Sequence, residues 1–414
     1  MNNPSKIQNL KSKIAIVGAG PAGASLAIRL AGTGFEVCLI EREKFPRHKL
    51  CGEFISPECL AHFQKLGVLS EMLAVGGDRI SETVFYEPGG KSVSVPSAWF
   101  NADLQGALSI SRAEMDFQLM EKAKGSGVEV LEETAAVGLL FENDKVCGVK
   151  VRTKDGELKE ITARLTIDAT GRTNVLGKLA EKEQLRITNY ELRKKIKNQK
   201  SKIKNHLVGF KTHLENANLE KARCEIYFFR GGYGGLSHVE NNLANHCFLI
   251  KADVVKEFNS DADKIVENVI FQNKRAQETL KDAKPIHDWL AVSVDNFGVK
   301  NLNPAPNLFS VGDAAAFIDP FTGSGMLMAL ESAEILAQVI AENHLTTETA
   351  AEIYKLRHRQ KFQKRLLVCS VMRRAAFVPA LAKILISGLS FSRLARRMLA
   401  RSTRQTLTIK ENKS

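Results

Sequence analysis

Residues 14–31 read IAIVGAGPAGASLAIRLA. Ile14 to Val17 form a short apolar strand pattern. Gly18, Gly20 and Gly23 follow at Gly-x-Gly-x-x-Gly spacing, with Ala22 inside the same turn, and a helical pattern opens at about Pro21. The first glycine makes the tight turn, the second lets a pyrophosphate reach the backbone, and the third allows close helix–strand packing. The helix N-terminus then faces the anion. A second strand pattern, Glu36 to Ile40, ends at Glu41 and Arg42, about 20 residues on, where the fingerprint expects an acid for a ribose hydroxyl. Strand, turn, helix and acid together predict dinucleotide binding; a glycine-rich turn in an unrelated α/β protein is the alternative.

A second junction has the same character. Leu308 to Val311 is strand-like and stops at Gly312-Asp313; alanines, Pro320, Gly323, Gly325 and a long helical pattern follow. Bare backbone between strand and helix suits a ligand that must approach the main chain closely.

The 414 residues suffice for two or three domain-sized units, and 59 Lys and Arg against 46 Asp and Glu give a formal net charge of +13. Such a surplus suits nucleic acid, a membrane surface or an acidic ligand, and its location decides between them. The seven cysteines are scattered without C-x-x-C pairs. That argues for a reducing compartment, with neither a disulfide framework nor a metal site. MNNPSKIQNLKSK at the start has no apolar signal-peptide core, and no stretch reaches the roughly 18 apolar residues of a spanning helix. The expected location is cytoplasmic.

Further along, Val84–Tyr86 and Ser92–Val95 read as a hairpin about Pro88-Gly89-Gly90, and Ser111 with Glu114 as a capping box opening a helix to Lys124. Val128 to Val151 alternates like paired strands, and another strand ends at Asp168-Ala169-Thr170-Gly171. Residues 185–205 form a charged, irregular stretch without the interleaved aromatics of a nucleic-acid groove. Strands over 206–252 predict a second sheet, with Gly231 to Gly235 as a glycine-rich turn beside an apolar cavity. Helical patterns cover 324–343, 347–374 and 378–403.

Three ordered segments carry a resemblance: Gly18–Gly23 with Glu41, the helix opening Ser111-Arg112-Ala113-Glu114-Met115-Asp116, and Ser310–Met326. Together they resemble the FAD-dependent oxidoreductases built like aromatic hydroxylases, closest to the geranylgeranyl reductase branch. The resemblance implies an α/β fold, with a Rossmann-like FAD-binding domain, an inserted α+β substrate domain and a helical C-terminal tail. It divides the chain into cofactor-binding parts 1–80, 101–184 and 285–345, a substrate-domain hairpin 81–100, a substrate domain 185–284 and C-terminal helices 346–414. It implies FAD contacts at Gly18, Gly20, Ala22, Gly23, Glu41, Arg42, Cys51, Gly52, Ala136, Gly323, Gly325 and Met326. Asp313 is implied on the ribityl chain and Arg112 on the pyrophosphate. For Asp313 a helix N-cap is the alternative, and Asp168 resembles a cofactor-side acid or a turn cap. Cys51 is the candidate catalytic residue, as a weak acid, a packing group or a gate.

The halogenase Trp-x-Trp-x-Ile-Pro pattern is absent: the two tryptophans are Trp99 and Trp289. The reductase Tyr-x-Trp-x-Phe-Pro segment is reduced to Gly231-Gly232-Tyr233-Gly234-Gly235-Leu236, which leaves hydroxylation open beside reduction. No second Gly-x-Gly-x-x-Gly exists, so NAD(P)H is expected as a transient electron donor. The implied function is oxidoreduction of a lipophilic or aromatic small molecule, by double-bond reduction or oxygen insertion. A non-catalytic FAD-binding redox sensor is a further alternative; nucleic acid is not expected as a partner. Finally, Arg393, Arg397, Arg401 and Arg404 share one helix face, with Phe391, Leu394 and Met398 pointing away. Either those apolar residues pack on the protein's own core, or the helix makes peripheral membrane contact.

Overall fold

The structure, a computed structural model, describes residues 13–100, 106–187, 207–295, 297–342, 347–377 and 379–403. Most of the charged 185–205 stretch, and Arg404, lie outside them. The central layer is a parallel five-stranded sheet in the order Leu308–Ser310, Leu165–Asp168, Lys13–Val17, Glu36–Ile40, Glu129–Leu131. Its strands are nearly continuous apolar runs because both faces are covered. Helices Pro21–Ala31, Arg112–Gly125 and Gly325–Ala341 pack together into one core cluster. An antiparallel meander of Thr134–Glu142, Lys145–Thr153 and Leu158–Thr162 contributes Val146, Val149 and Val151 to another core cluster.

A larger sheet stands beside this unit. Leu207–Glu215, Ala244–Lys251, Gly232–His238 and Arg223–Phe229 run antiparallel to one another, and the Glu82–Tyr86/Ser92–Pro96 hairpin joins the far edge through a parallel pairing. The Leu290–Val294 strand, which the sequence groups with the third cofactor-binding part, instead pairs antiparallel with Leu207–Glu215. A hydrophobic cluster joins this sheet to the short helices after residue 252. Two long C-terminal helices follow, Thr347–Ala376 and Pro379–Ser390; on the hairpin side, Phe85, Val93, Phe228, Tyr233 and Leu249 meet Ile386 and Leu389 of the second. The described residues end with a separate helix, Arg393–Ser402, capped by Ser392, so the single helix expected over 378–403 is two.

Gly231–Gly235 is not a turn. Gly232 to His238 is a central strand, and only Gly231, at φ +77°, lies in the bend. Strand alternation therefore decides which glycine faces the cavity. Tyr233 and Gly235 line it, whereas a Cβ on Gly234 would meet Phe248 Cβ at 2.9 Å on the opposite face.

Candidate active site

One continuous cavity of about 1260 Å³ runs from the Gly18 turn to the large sheet and the last helix. At its first end, Gly18 has φ +104°, and a Cβ there would sit 2.4 Å from the Ala169 carbonyl oxygen. Gly23 packs so closely that a Cβ would meet Gly18 O at 1.9 Å; it serves strand–helix packing and does not line the cavity. Gly20, Ala22 and the uncapped start of the Pro21–Ala31 helix do line or face it. Glu41 lies at the cavity wall, buried, with Oε2 accepting from Ala19 N at 2.9 Å and Oε1 from Glu43 N at 3.2 Å. Arg42 is exposed at the rim and pairs with Glu43 at 3.2 Å.

Cations gather beside this turn. Arg112 Nη2 is the nearest atom to where a Gly20 Cβ would stand, at 3.8 Å. Its Nε and Nη2 donate to Asp116 at 2.9 and 2.6 Å, and Arg47 Nη1 donates to the same carboxylate at 2.9 Å. Lys49 lines the cavity, and burial together with Arg47 and Arg112 pushes its ammonium pKa down to about 8. A cation held uncomfortably close to other cations is suited to receiving an anion. The sequence missed Arg47, Lys49 and Asp116, although Arg112 and Asp116 at i,i+4 on one helix were a visible pairing signal.

Farther along, Asp313 lines the cavity and its carboxylate accepts no hydrogen bond from the described residues. Burial raises its pKa despite the opposing Lys300, whose Nζ donates to the carbonyls of Asp313 and Arg172 at 2.9 and 3.0 Å. The Gly312–Ala314 turn has no side-chain cap, so the N-cap alternative for Asp313 does not hold. Asp168, in contrast, is a turn cap: it accepts from Thr170 N, the Thr170 hydroxyl and Gly177 N at 2.9, 2.6 and 3.0 Å. Gly323 ends a short turn at φ +60°, and Gly325 opens a helix without a side-chain cap; both line the cavity with Met326 and, on the opposite side, Ala136.

Cys51 and Gly52 also reach the cavity. Cys51 Sγ accepts from Glu53 N at 3.4 Å, and its carbonyl accepts from Asn245 at 3.2 Å. Glu53, next in the chain, belongs to no motif. Its side chain is fully buried and its φ is +54°. Oε1 accepts from Arg112 N at 2.7 Å and from Lys211 Nζ, and Oε2 pairs with His213 Nε2 at 2.7 Å. The cofactor-side loop is thus tied to the large sheet by a buried charge cluster. Beyond Gly323 the wall becomes apolar: Phe85, Val93, Phe228, Phe321, Ile386 and Leu389 line it. Tyr233 donates to buried Asp319 at 2.7 Å there, and burial holds its phenol pKa well above the usual value.

The last helix overturns one expectation. Phe391, Leu394 and Met398 do not pack on the core; they are 90%, 69% and 65% exposed. The inward face carries Arg396, Leu399, Ala400 and Thr403, all lining the cavity.

These residues fit FAD. An unpartnered carboxylate, a tight glycine turn beside three cations, and uncapped helix starts at both ends match ribityl, pyrophosphate and flavin. Comparison with known proteins agrees. Residues 11–356 match the FAD binding domain family. The chain is 24% identical over 369 residues to tryptophan 2-halogenase of Chondromyces crocatus, covering 86% of this chain and 67% of the relative. It is 27% identical to digeranylgeranylglycerophospholipid reductase 2 of Methanopyrus kandleri, over 83% of this chain and 80% of the relative. A geranylgeranyl bacteriochlorophyll reductase-like protein from Thermoplasma acidophilum shares the fold with TM-score 0.74 at 20% identity, covering 96% and 98%. The chain belongs to the FAD binding domain family of oxidoreductases.

Proposed function

We propose that this protein reduces a carbon–carbon double bond of a lipophilic small molecule, with NAD(P)H as transient electron donor. The observation that carries the reading is the apolar extension of the FAD cavity beneath the large sheet and the C-terminal helices. The similarity to a reductase of a prenylated lipid supports it. FAD, when bound, supplies the two-electron redox chemistry.

The chain's residues then have distinct tasks. Asp313 accepts from ribityl hydroxyls, while Lys300 behind it fixes the turn. The backbone of Gly18, Gly20 and Ala22 and the cations of Arg112, Arg47 and Lys49 hold the pyrophosphate. Glu41 and Arg42 flank the ribose, and Ala136 the adenine. Gly323, Gly325 and Met326 shape the ring-binding edge. Glu53 would steady the Cys51–Gly52 loop, and the Cys51 thiol would serve as the acid that protonates the substrate, to be reprotonated from solvent. Tyr233 keeps its own proton, donated in a hydrogen bond to Asp319, and closes the apolar wall against water.

Work in the cytoplasm, at a membrane surface, suits such a substrate. Residues 353–403 contain thirteen of the 59 basic residues and no acid; the other 46 are balanced by the chain's 46 acids. The whole net charge therefore belongs to the C-terminal helices, on whose outer face Leu394 and Met398 lie beside Arg393 and Arg397. A second reading, oxygen insertion into a polyketide- or quinone-like substrate, rests on the absence of the Trp and Pro of the reductase segment at Gly231–Leu236.

One experiment separates the two. Purified enzyme, NADPH and an allylic isoprenoid alcohol are incubated with and without oxygen, and products are weighed by mass spectrometry. Reduction adds two hydrogens and proceeds anaerobically. A product carrying ¹⁸O from ¹⁸O₂, formed only in air, would replace the reductase reading with the oxygenase.

A further inference from the structure

The cavity has two unlike walls. The cofactor-facing wall carries Glu41, Arg47, Lys49, Glu53, Arg112 and Asp313. The wall given by the large sheet and the C-terminal helices is apolar and, among the described residues, presents a single charged side chain, Arg396. Arg396 Nη1 donates to the Ser94 carbonyl at 3.2 Å, while its Nε is buried with no partner. No described carboxylate pairs with it, and no acid occurs anywhere in residues 353–403. A guanidinium set in an apolar wall is unfavourable unless something compensates its charge. Its planar fork of donors matches a carboxylate or phosphate.

Position adds a ruler. The same helix touches the cofactor end of the cavity, where the Ser324 hydroxyl donates to Thr403 O at 3.5 Å. Arg396 and Thr403 both line the cavity and are seven residues apart, roughly 10 Å along a helix. An anion held at Arg396 would leave an apolar chain of that length lying against Leu399 and Ala400 toward Gly323.

We propose that Arg396 is the head-group anchor of this cavity, and that the substrate is an amphiphile with a carboxylate or phosphate at one end and its reacting group roughly 10 Å away. This rests on the lipophilic-substrate reading above. Full-length FAD-loaded protein is titrated calorimetrically with monomeric decyl phosphate, decanoate and 1-decanol, without vesicles, and with inorganic phosphate alone. The wild type is expected to bind both anions at least about tenfold more tightly than decanol, a factor worth about 1.4 kcal/mol. Arg396→Gln, with FAD content and circular dichroism intact, should bind all three alike, and Arg396→Lys should keep part of the preference. A preference for one anion over the other names the head group. Equal binding of the amphiphiles by the wild type, or an unchanged preference in Arg396→Gln, would overturn the anchor alone. Inorganic phosphate competing fully with decyl phosphate would reduce the site to a simple anion site and also overturn it. If decanol and both anions fail to bind, the lipophilic cavity itself is refuted.

Discussion

Replacing Glu53 by Gln tests how the two halves of the site are held together. Glu53 and Lys211 are 0% and 1% exposed, and His213 is 4% exposed. Gln keeps the volume, and its amide oxygen in the Oε1 place can still accept from Arg112 N and Lys211 Nζ, but the negative charge that compensates the buried Lys211 ammonium is gone, leaving only neutral acceptors such as the Lys49 carbonyl at 3.3 Å. Breaking a buried pair in this way typically costs about 3–5 kcal/mol. Urea unfolding followed by circular dichroism should therefore show a loss of that order, and adding Lys211→Met to Glu53→Gln should restore much of it. The effect also has a pH signature. Burial alone would raise the Glu53 carboxyl pKa, but the His213 and Lys211 contacts outweigh it and hold the value below normal. A depressed native pKa contributes stability that is present above the unfolded value and lost as pH falls through the native one. The gap between wild type and variant should be constant above about pH 5 and narrow below about pH 4, under the ordinary Glu value. A loss under about 1 kcal/mol, well short of the range for a broken buried pair, or no rescue by Lys211→Met, would refute the clamp.

Gly235→Val, on the cavity wall, should impair turnover while FAD content is retained; Gly234→Val, pressed against Phe248, should instead lower thermal stability, and calorimetry with a flavin assay separates the two. Lys49 has a pKa of about 8 before an anion arrives, so binding FAD should raise it and take up a proton. FAD affinity measured by fluorescence quenching should fall as pH rises through about 8–9, and Lys49→Met should flatten that slope. Full-length protein should sediment with anionic vesicles at low salt and be released at high salt; Arg393→Gln with Arg397→Gln should weaken this, since each cation near such a surface is worth about 1 kcal/mol. Equal sedimentation of the two proteins would remove the membrane contact.

The cofactor half of the site was legible because its constraints are local. Gly18 must be glycine for its left-handed backbone and Gly23 for its close packing on Gly18, Gly20 keeps the cavity side of the turn bare, and Asp313 follows a strand end at fixed spacing; such signals survive in a linear string. The substrate half is assembled by long-range pairing. Glu53 meets Lys211 and His213 across more than 150 residues, and neither end of that cluster forms a motif. Gly231–Gly235 misled because glycine signals a turn locally, whereas here the neighbouring strands on both sides capture it into a sheet. The spacing of Arg393, Arg397 and Arg401 assigns them to one helix face, but helical angles alone do not say which of two faces is inward. Arg396, outside that stripe, turned out to define the buried side.

The central claim is an FAD site built around Asp313 and the Gly18–Gly23 turn. Its most direct test is the flavin released by heat denaturation of the purified chain, separated by chromatography and counted per protein molecule. Wild type should release FAD, not FMN, at near one per chain. Asp313→Ala should release little, having lost the unpartnered carboxylate on the cavity wall, and so should Gly20→Val, which crowds the Arg112 end of the turn. FMN in the wild type, no flavin after reconstitution with FAD, or full FAD occupancy in both variants would contradict the account.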